Sequence, residues 1–524
     1  MHSPRPIPPP RTNNVPRRRL SYKFFYRLPF FAPRAFSALV FLLVFLLTAF
    51  PPTAFQLAAQ TSLPATNVVT NLVTNSVASS VASSVASSAA LEEYVREGLA
   101  QSESIVQRKY MLAKSFAALG EAQSIFLPNL AFAMTYTRAD GGRTVDFPVG
   151  DLLNPVYTAL NQITQSELYP RLENANILLN PDNFYDARFR ITAPLYNVDL
   201  QYNARIKSEQ TTLQKAELAI AQRELVRDIK TAYYRYCQAL QAVKIYESAL
   251  RVMQENERVT TALWNNQKAN RTMLAKAEYE LRKVEAAMSA ARQNERNAAA
   301  YFNFLLNRQL AAEILCDAAL FTALPPPPER LFAELLAAQT PDAPRREESA
   351  KMHAAQMMAD NAAALAASHL LPKLSAFVDI GSQGFDWQFN GKTLYYFAGI
   401  SLDWNIFTFG KDAHKKEQAT AEAETIHSQA RQIEAQIRLQ QTIARNSYLA
   451  AWNGVESARS RETVAERYAI DMLKLYKEGQ ALFIELLEAQ NQFVAAQLER
   501  SIAHVEALQA LAEIERADAI FPLD

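Results

Sequence analysis

Glu485 and Glu488 lie three residues apart, six and nine positions after Gly479, so a helix would place them on one face. Paired carboxylates can do acid–base work on a glycosidic bond, but that needs a sugar cleft, and nothing around them forms one. An exposed acidic face is the plainer alternative. His353, His369, His414, His427 and His504 are scattered singly, without carboxylates at ligand spacing, so no metal site is expected. Two cysteines exclude a disulfide framework. Cys237 and Cys316 read as separate thiols, with a bridge in an oxidising compartment as the lesser alternative. Lys411, Lys415 and Lys416 read as a solvated face. No catalytic constellation emerges, so neither enzyme nor cofactor is expected.

The elements that position these residues follow from composition. Only 12 of 524 residues are Gly, about 2% against an average near 7%. Folds that cradle phosphates on Gly-rich turns are therefore disfavoured. The balance of 54 Lys+Arg against 53 Asp+Glu leaves no basic surplus for a nucleic-acid backbone. The rest is rich in Ala, Leu, Gln, Glu and Arg, the vocabulary of long helices.

Residues 1–59 read as a signal peptide: a basic leader through Arg34, an apolar run from Phe36 to Phe50, then Pro51-Pro52. That run of about 15 residues is short for a membrane span of roughly 20. Residues 60–90, with their repeated VASS, read as a low-complexity linker. Pro325–Pro328, with Pro341 and Pro344, interrupt the chain again, which gives a Pro-rich link at 325–344. Two comparable units, 91–324 and 345–518, flank that link, and a short tail covers 519–524.

These units echo each other. Leu127-Pro128 is matched by Leu371-Pro372, Leu195-Tyr196-Asn197 by Ile406-Phe407-Thr408, and Ala232-Tyr233 by Ser447-Tyr448. Leu274 and Ala277-Glu278 find Leu487 (or Leu486) and Ala489-Gln490, at a spacing near 212. A period that long implies internal duplication.

In each unit a helical stretch (91–126 in the first) gives way to alternation. Leu130, Phe132, Met134 and Tyr136 share one face, and Phe189, Ile191, Ala193 and Leu195 another. Leu394, Tyr396, Ala398, Ile400, Leu402, Trp404 and Ile406 do the same, opposite Thr393, Gly399, Ser401, Asp403 and Asn405. An apolar face backed by a mostly polar one suits a membrane barrel strand. Tyr136, Tyr395, Tyr396, Trp387 and Trp404 near strand ends favour a bilayer interface. Each unit supplies two strands, and four in total cannot close a barrel; open edges are forbidden in lipid, so other copies must complete it.

Very long helices follow the strands. No Pro or Gly occurs from Asp199 to Thr261. Leu225, Ile229, Ala232, Tyr236, Ala239, Val243, Tyr246, Leu250 and Met253 form a 4-3 heptad seam. Residues 411–478 repeat the pattern with smaller seam residues from Ile433 to Tyr476. Each helix reverses into a shorter one, about 268–307 and 480–518. Gly479 marks one reversal, and Asn265-Asn266-Gln267 the other, with Asn as the tolerant residue.

Together, the Leu-Pro junctions, the passages ITAPLYN and LDWNIFTFGK, and YKEGQALFIELLEAQNQFVAAQ (476–497) resemble the TolC-like outer-membrane efflux channel family over about 91–518. The resemblance implies a mainly α fold with a small membrane β part. A trimeric α-helical coiled-coil tunnel joins a 12-stranded β-barrel, four strands per chain, with an internal structural repeat. It implies a passive exit duct in the outer membrane, its tunnel in the periplasm, serving a tripartite efflux pump or type I secretion system. Its partners would be two further copies, outer-membrane lipid, a periplasmic adaptor (membrane fusion) protein and an inner-membrane transporter. Glu485 and Glu488 fall at the family's acidic pore-aperture offsets. Tyr476 falls at its aperture latch, with Thr272 retaining a hydroxyl beside Met273, where the family carries an acid. Asn266, Gln267 and Gly479 mark helix-tip turns that contact the adaptor. Leu482, Lys411 and Gln267 depart from the usual pattern, and the excess length around 140–180 implies an enlarged external loop. The alternative is a membrane-anchored periplasmic coiled-coil scaffold or adaptor, which would keep Phe36–Phe50 as its anchor.

Overall fold

The computed structural model describes residues 89–180, 182–321, 325–338 and 346–523. The expected signal peptide, nearly all of the linker and parts of the Pro-rich link lie outside these residues.

The first helical stretch is two helices, α1 (Ala89–Gln101) and α2 (Glu103–Ser124), rather than the single one expected. The break is Ser102, whose backbone is extended (φ −64°, ψ 125°) and whose hydroxyl lies 2.9 Å from that of Ser104. Ser is more at ease starting a helix than inside one, because its side chain competes for backbone hydrogen bonds. Just before it, Gly98 lets α1 lie close on its neighbour: an added Cβ would stand 2.3 Å from the Ile229 side chain.

Four strands follow the predicted order: β1 (Asn129–Thr137), then β4 (Phe184–Tyr196), β5 (Lys373–Phe385) and β6 (Leu394–Asp403). They form one antiparallel sheet in the order β1-β4-β5-β6. The register places Leu130 opposite Ile191, Arg190 opposite Asp379, and Ile380 opposite Tyr396. Directly paired residues point the same way, so the register sorts the sheet into two faces. One carries Leu130, Phe132, Met134, Phe189, Ile191, Val378, Ile380, Tyr396, Ile400 and Leu402, and has no charged residue. The other carries Asp186, Arg188, Arg190, Lys373, Asp379, Ser401 and Asp403, with Phe377 and Phe397 among them.

Between β1 and β4 the enlarged loop is itself folded. A ribbon of β2 (Thr144–Phe147) and β3 (Ala175–Leu178) carries α3 (Val149–Thr164). Asparagines fasten the returning chain to α3: Asn154 exchanges hydrogen bonds with the Leu172 backbone, and Asn161 with that of Tyr169.

The long helices are α4 (Val198–Asn265) and α8 (Lys411–Lys477), of 68 and 67 residues. Each spans about 100 Å at 1.5 Å per residue. Shorter helices α5 (Arg271–Leu305) and α9 (Phe483–Ala517) return beside them, 35 residues each. In α4 the seam residues Leu225, Ile229, Ala232, Tyr236, Val243 and Met253 are buried. On α8 the seam is at least half-buried throughout, whereas Leu439, Ile443, Val464 and Tyr468 are exposed.

Midway along the helices the chain is tied down. Beyond α5 come a short 3-10 turn (Ala318–Phe321), α6 (Pro328–Ala338) and α7 (Glu347–Ser368). Cys237 and Cys316 are joined in a disulfide (Cα–Cα 5.8 Å), which corrects the reading of separate thiols. Their separation of 79 residues concealed the contact. Only once α5 has turned back along α4 does the segment after it cross Cys237. Two tyrosines hold the same segment: the Leu315 N–H donates to Tyr94 Oη (2.9 Å), and the Asp317 N–H to Tyr233 Oη (3.0 Å). In the other half Tyr448, equally buried, donates to the Pro326 carbonyl.

Candidate functional site

Three places could do work: the helix tips, the polar sheet face, and the junction between sheet and helices. At the tips the chain reverses within 266–270 and 478–482. Gly479 has φ +75°, a left-handed value that glycine tolerates, as its position predicted. In the first tip the left-handed residue is Gln267 (φ 59°), whereas Asn266 caps α4 at φ −91°. The expectation that Asn supplies this conformation is therefore corrected. Asn270 restarts the chain by accepting a hydrogen bond from the Met273 N–H at 2.8 Å.

Glu485 and Glu488 are both exposed on the first turns of α9, opposite buried Phe483, Leu486 and Leu487. Glu485 also has a local task. Its carboxylate accepts the Leu482 N–H at 2.7 Å and so satisfies an unpaired donor at the helix start. Glu488 Oε1 accepts from Gln492 Nε2 at 3.3 Å.

Tyr476 is half-buried, its ring 5.8 Å from that of Phe483, and burial pushes its hydroxyl pKa up. Met273 packs into the same apolar cluster, with Met253, Leu281 and Leu487. Within one chain Thr272 is exposed and is not hydrogen-bonded to Tyr476. The structure thus brings Tyr476 to Met273's cluster rather than to Thr272.

Polar ties just above the tips escaped the sequence reading. Glu280, almost fully buried, accepts from Lys276 (2.7 Å) on its own helix and from Asn491 (3.3 Å) on α9. Burial alone would raise its pKa, but bonds from Lys276 and Asn491, together with nearby Lys283, hold it below the usual carboxylate value. Asn256 reaches Gln490 at 2.7 Å. The available signal was Lys at i−4 and i+3 around Glu280, a pattern common on any exposed helix.

The polar sheet face concentrates charge in matched pairs. Arg190 grips Asp379, Arg188 reaches Asp186 at 2.8 Å, and Tyr395 donates to Asp186 at 2.8 Å. At the end of the sheet remote from the long helices, Trp387 lies between Tyr136 (centroids 5.0 Å) and Tyr185 (5.5 Å). At the helix end, Asp199 on the first turn of α4 binds Lys373 Nζ at 2.5 Å and Ser368 Oγ at 2.6 Å. This ties the β4-to-α4 passage to the junction between α7 and β5.

Among the described residues no group of three or more His, Cys, Asp or Glu could hold a metal ion. Three histidines do meet one carboxylate each: His369 with Asp199, His414 with Glu417, and His427 with Asp360. These contacts are pairs, and the His414–Glu417 one lies at a spacing that the sequence reading had passed over.

No family model matches the sequence, and no curated protein does. Solved structures do. The outer membrane protein VceC of Vibrio cholerae aligns with TM-score 0.64 at 14% identity, over 82% of this chain and 95% of that one. The Campylobacter jejuni CmeC outer membrane channel gives 0.65 at 12% identity, over 82% and 86%. The open state of the Neisseria gonorrhoeae MtrE outer membrane channel gives 0.65 at 14%, over 82% and 88%. At such identities the likeness is one of fold.

Proposed function

We propose that this chain, which has the fold of the TolC-like outer-membrane efflux channels, is one third of a passive export duct through the outer membrane. The observation that carries this reading is the sheet. One of its faces has no charge and is largely exposed, while β1 and β6 end it with unpaired edges. An uncovered apolar face calls for lipid. An open edge within lipid leaves N–H and C=O groups unsatisfied, so β1 must pair with β6 of another copy. Three copies supply 12 strands. Ten residues of β6, at about 3.4 Å each and tilted about 40°, rise roughly 26 Å, the height of a barrel's apolar band.

Other features fit. The order of two sheet strands, a long helix and a shorter returning helix occurs twice, in keeping with a duplicated chain of units 91–324 and 345–518. Leu439, Ile443, Val464 and Tyr468, exposed on α8, give neighbouring copies a surface to cover. In a trimer the exposed Glu485 and Glu488 form acidic rings at the tunnel's periplasmic entrance. Tyr476 and Thr272 meet across helices of the assembled pore, with Met273 making that latch more apolar. The tips at 262–272 and 476–484 receive a periplasmic adaptor that couples the duct to an inner-membrane transporter. A periplasmic scaffold would need some cover for the uncharged sheet face, and the described part of the chain supplies none.

Purified protein added to planar bilayers tests this reading. Stable, discrete conductance steps are expected. An assembled oligomer that inserts without conducting would contradict a duct.

A further inference from the structure

The passage from β6 into α8 carries two features that a solvated turn would not need. First, Trp404, Ile406, Phe407 and Phe409 are all exposed, Phe409 to 90%. Phe409 also has φ 50°, a left-handed backbone that a bulky side chain adopts only at a cost. Its ring packs on Phe407 (centroids 4.7 Å), and the pair projects from the chain together. Second, Lys411, Lys415 and Lys416 follow within the first turns of α8. Cations at a helix N-terminus oppose the macrodipole. All three are exposed and form no ion pair among the described residues. The nearest acids are engaged elsewhere: Asp412 accepts from Thr408 (2.9 Å), and Glu417 meets His414 (3.3 Å).

We infer that this aromatic and basic strip binds the headgroups of anionic phospholipids in the periplasmic leaflet. This rests on the membrane reading above. The uncharged sheet face runs down to Leu402, the aromatic residues come next, and the lysines lie beyond them. This is the order of hydrocarbon, interface and headgroup across a leaflet. Lys411 to Lys416 span about 8 Å along the helix, comparable to the headgroup layer and to a Debye length at physiological salt. Anionic headgroups complement the unpaired lysines, and acyl chains cover Phe407 and Phe409. A neutral lipid would satisfy the rings but leave the charges unmatched.

Trp404 sits on the strip and can report on it. Trp264→Phe, Trp387→Phe and Trp452→Phe leave Trp404 as the sole indole. The trimer is reconstituted in phosphatidylethanolamine vesicles containing equal fractions of dibrominated phosphatidylglycerol or dibrominated phosphatidylcholine. Brominated chains quench an indole that they touch. The phosphatidylglycerol form should bind at least about threefold more strongly, since each juxtamembrane Lys adds roughly fivefold for an anionic surface. The preference should fade at 1 M salt and disappear in Lys411→Gln/Lys415→Gln/Lys416→Gln, while the corresponding Arg variant keeps it. Equal quenching by the two lipids in the assembled trimer would overturn the inference and leave the duct intact. A salt-insensitive preference would overturn it too, and this needs no lysine variant to fold. No quenching by either lipid would mean that the sheet does not meet lipid here, and the membrane reading would fail with it.

Discussion

Arg190 and Asp379 face each other across the β4–β5 ladder and are joined by two hydrogen bonds, Nε to Oδ1 at 2.7 Å and Nη2 to Oδ2 at 2.6 Å. The parallel donors of a guanidinium match a carboxylate well, and such bidentate contacts are among the stronger charge-assisted pairs. Their neighbours along the strands, Ile191 and Val378, point to the opposite face. One step in register therefore separates the charged face of the sheet from the uncharged one.

Ile400→Arg or Leu402→Arg, on the uncharged face, should lower the yield of assembled trimer. A cation on a barrel strand costs about 2–4 kcal/mol at mid-bilayer and about 0–1 near the interface, so Ile400→Arg should lose more than Leu402→Arg, which lies at the end of β6. Ser401→Arg, on the polar face, should leave that yield nearly unchanged. Quantifying trimer in isolated outer membranes separates the cases, and equal loss from all three would mean the faces are misassigned.

At the entrance, Glu485→Gln with Glu488→Gln should reduce cation preference in planar bilayers and weaken block by multivalent cations. Assembly should be spared. The amide that replaces the Glu485 carboxylate keeps a carbonyl oxygen for the Leu482 N–H, so the helix start remains satisfied. Unaltered reversal potentials in an assembled double variant would remove both residues from the pore.

The Cys237–Cys316 bridge closes a loop of 79 residues, for which the chain-entropy account gives about 4–5 kcal/mol as an upper figure. Cys237→Ser with Cys316→Ser should lower the thermal midpoint, as should reductant added to the native protein. Reductant should not affect the double variant. A native midpoint indifferent to reductant would mean that the bridge adds nothing.

Burial holds the His504 imidazole below its ordinary value of 6.5, opposed by its bond to the Leu320 carbonyl and reinforced by Arg500. In this window the unfolded chain binds a proton before the folded one does. Stability should therefore fall as pH drops below about 6.5, until the folded-state value is reached. His504→Gln should flatten that part of the profile in denaturant titrations. An identical slope in the variant would assign the dependence to other groups.

The long helices and sheet strands were legible because periodicity is local: the 4-3 seam of α4 and the alternation of β6 lie within single segments. The pairing of Cys237 with Cys316 was not, since it depends on where α5 returns. Likewise, the Glu280–Asn491 tie depends on how two hairpins lie together. At the first tip, residue preference within Asn265-Asn266-Gln267 pointed to an Asn, yet hairpin geometry places Gln267, at the family's Gly position, in the left-handed region. The fold of 140–180 was missed for another reason. Its elements are short, and its asparagine ties look like ordinary loop composition. Glu485 and Glu488 were visible as a spacing, but the aperture role proposed for them came from the resemblance.

Whether this chain is a trimeric outer-membrane duct is decided by fractionation followed by gel analysis with and without heating. The chain is expected in the outer-membrane fraction. It should run unheated as a trimer whose β-structure is lost together with the trimer on boiling, because four strands cannot close a barrel in one chain. A folded monomer with full β-content, or retention in the inner membrane, would contradict it.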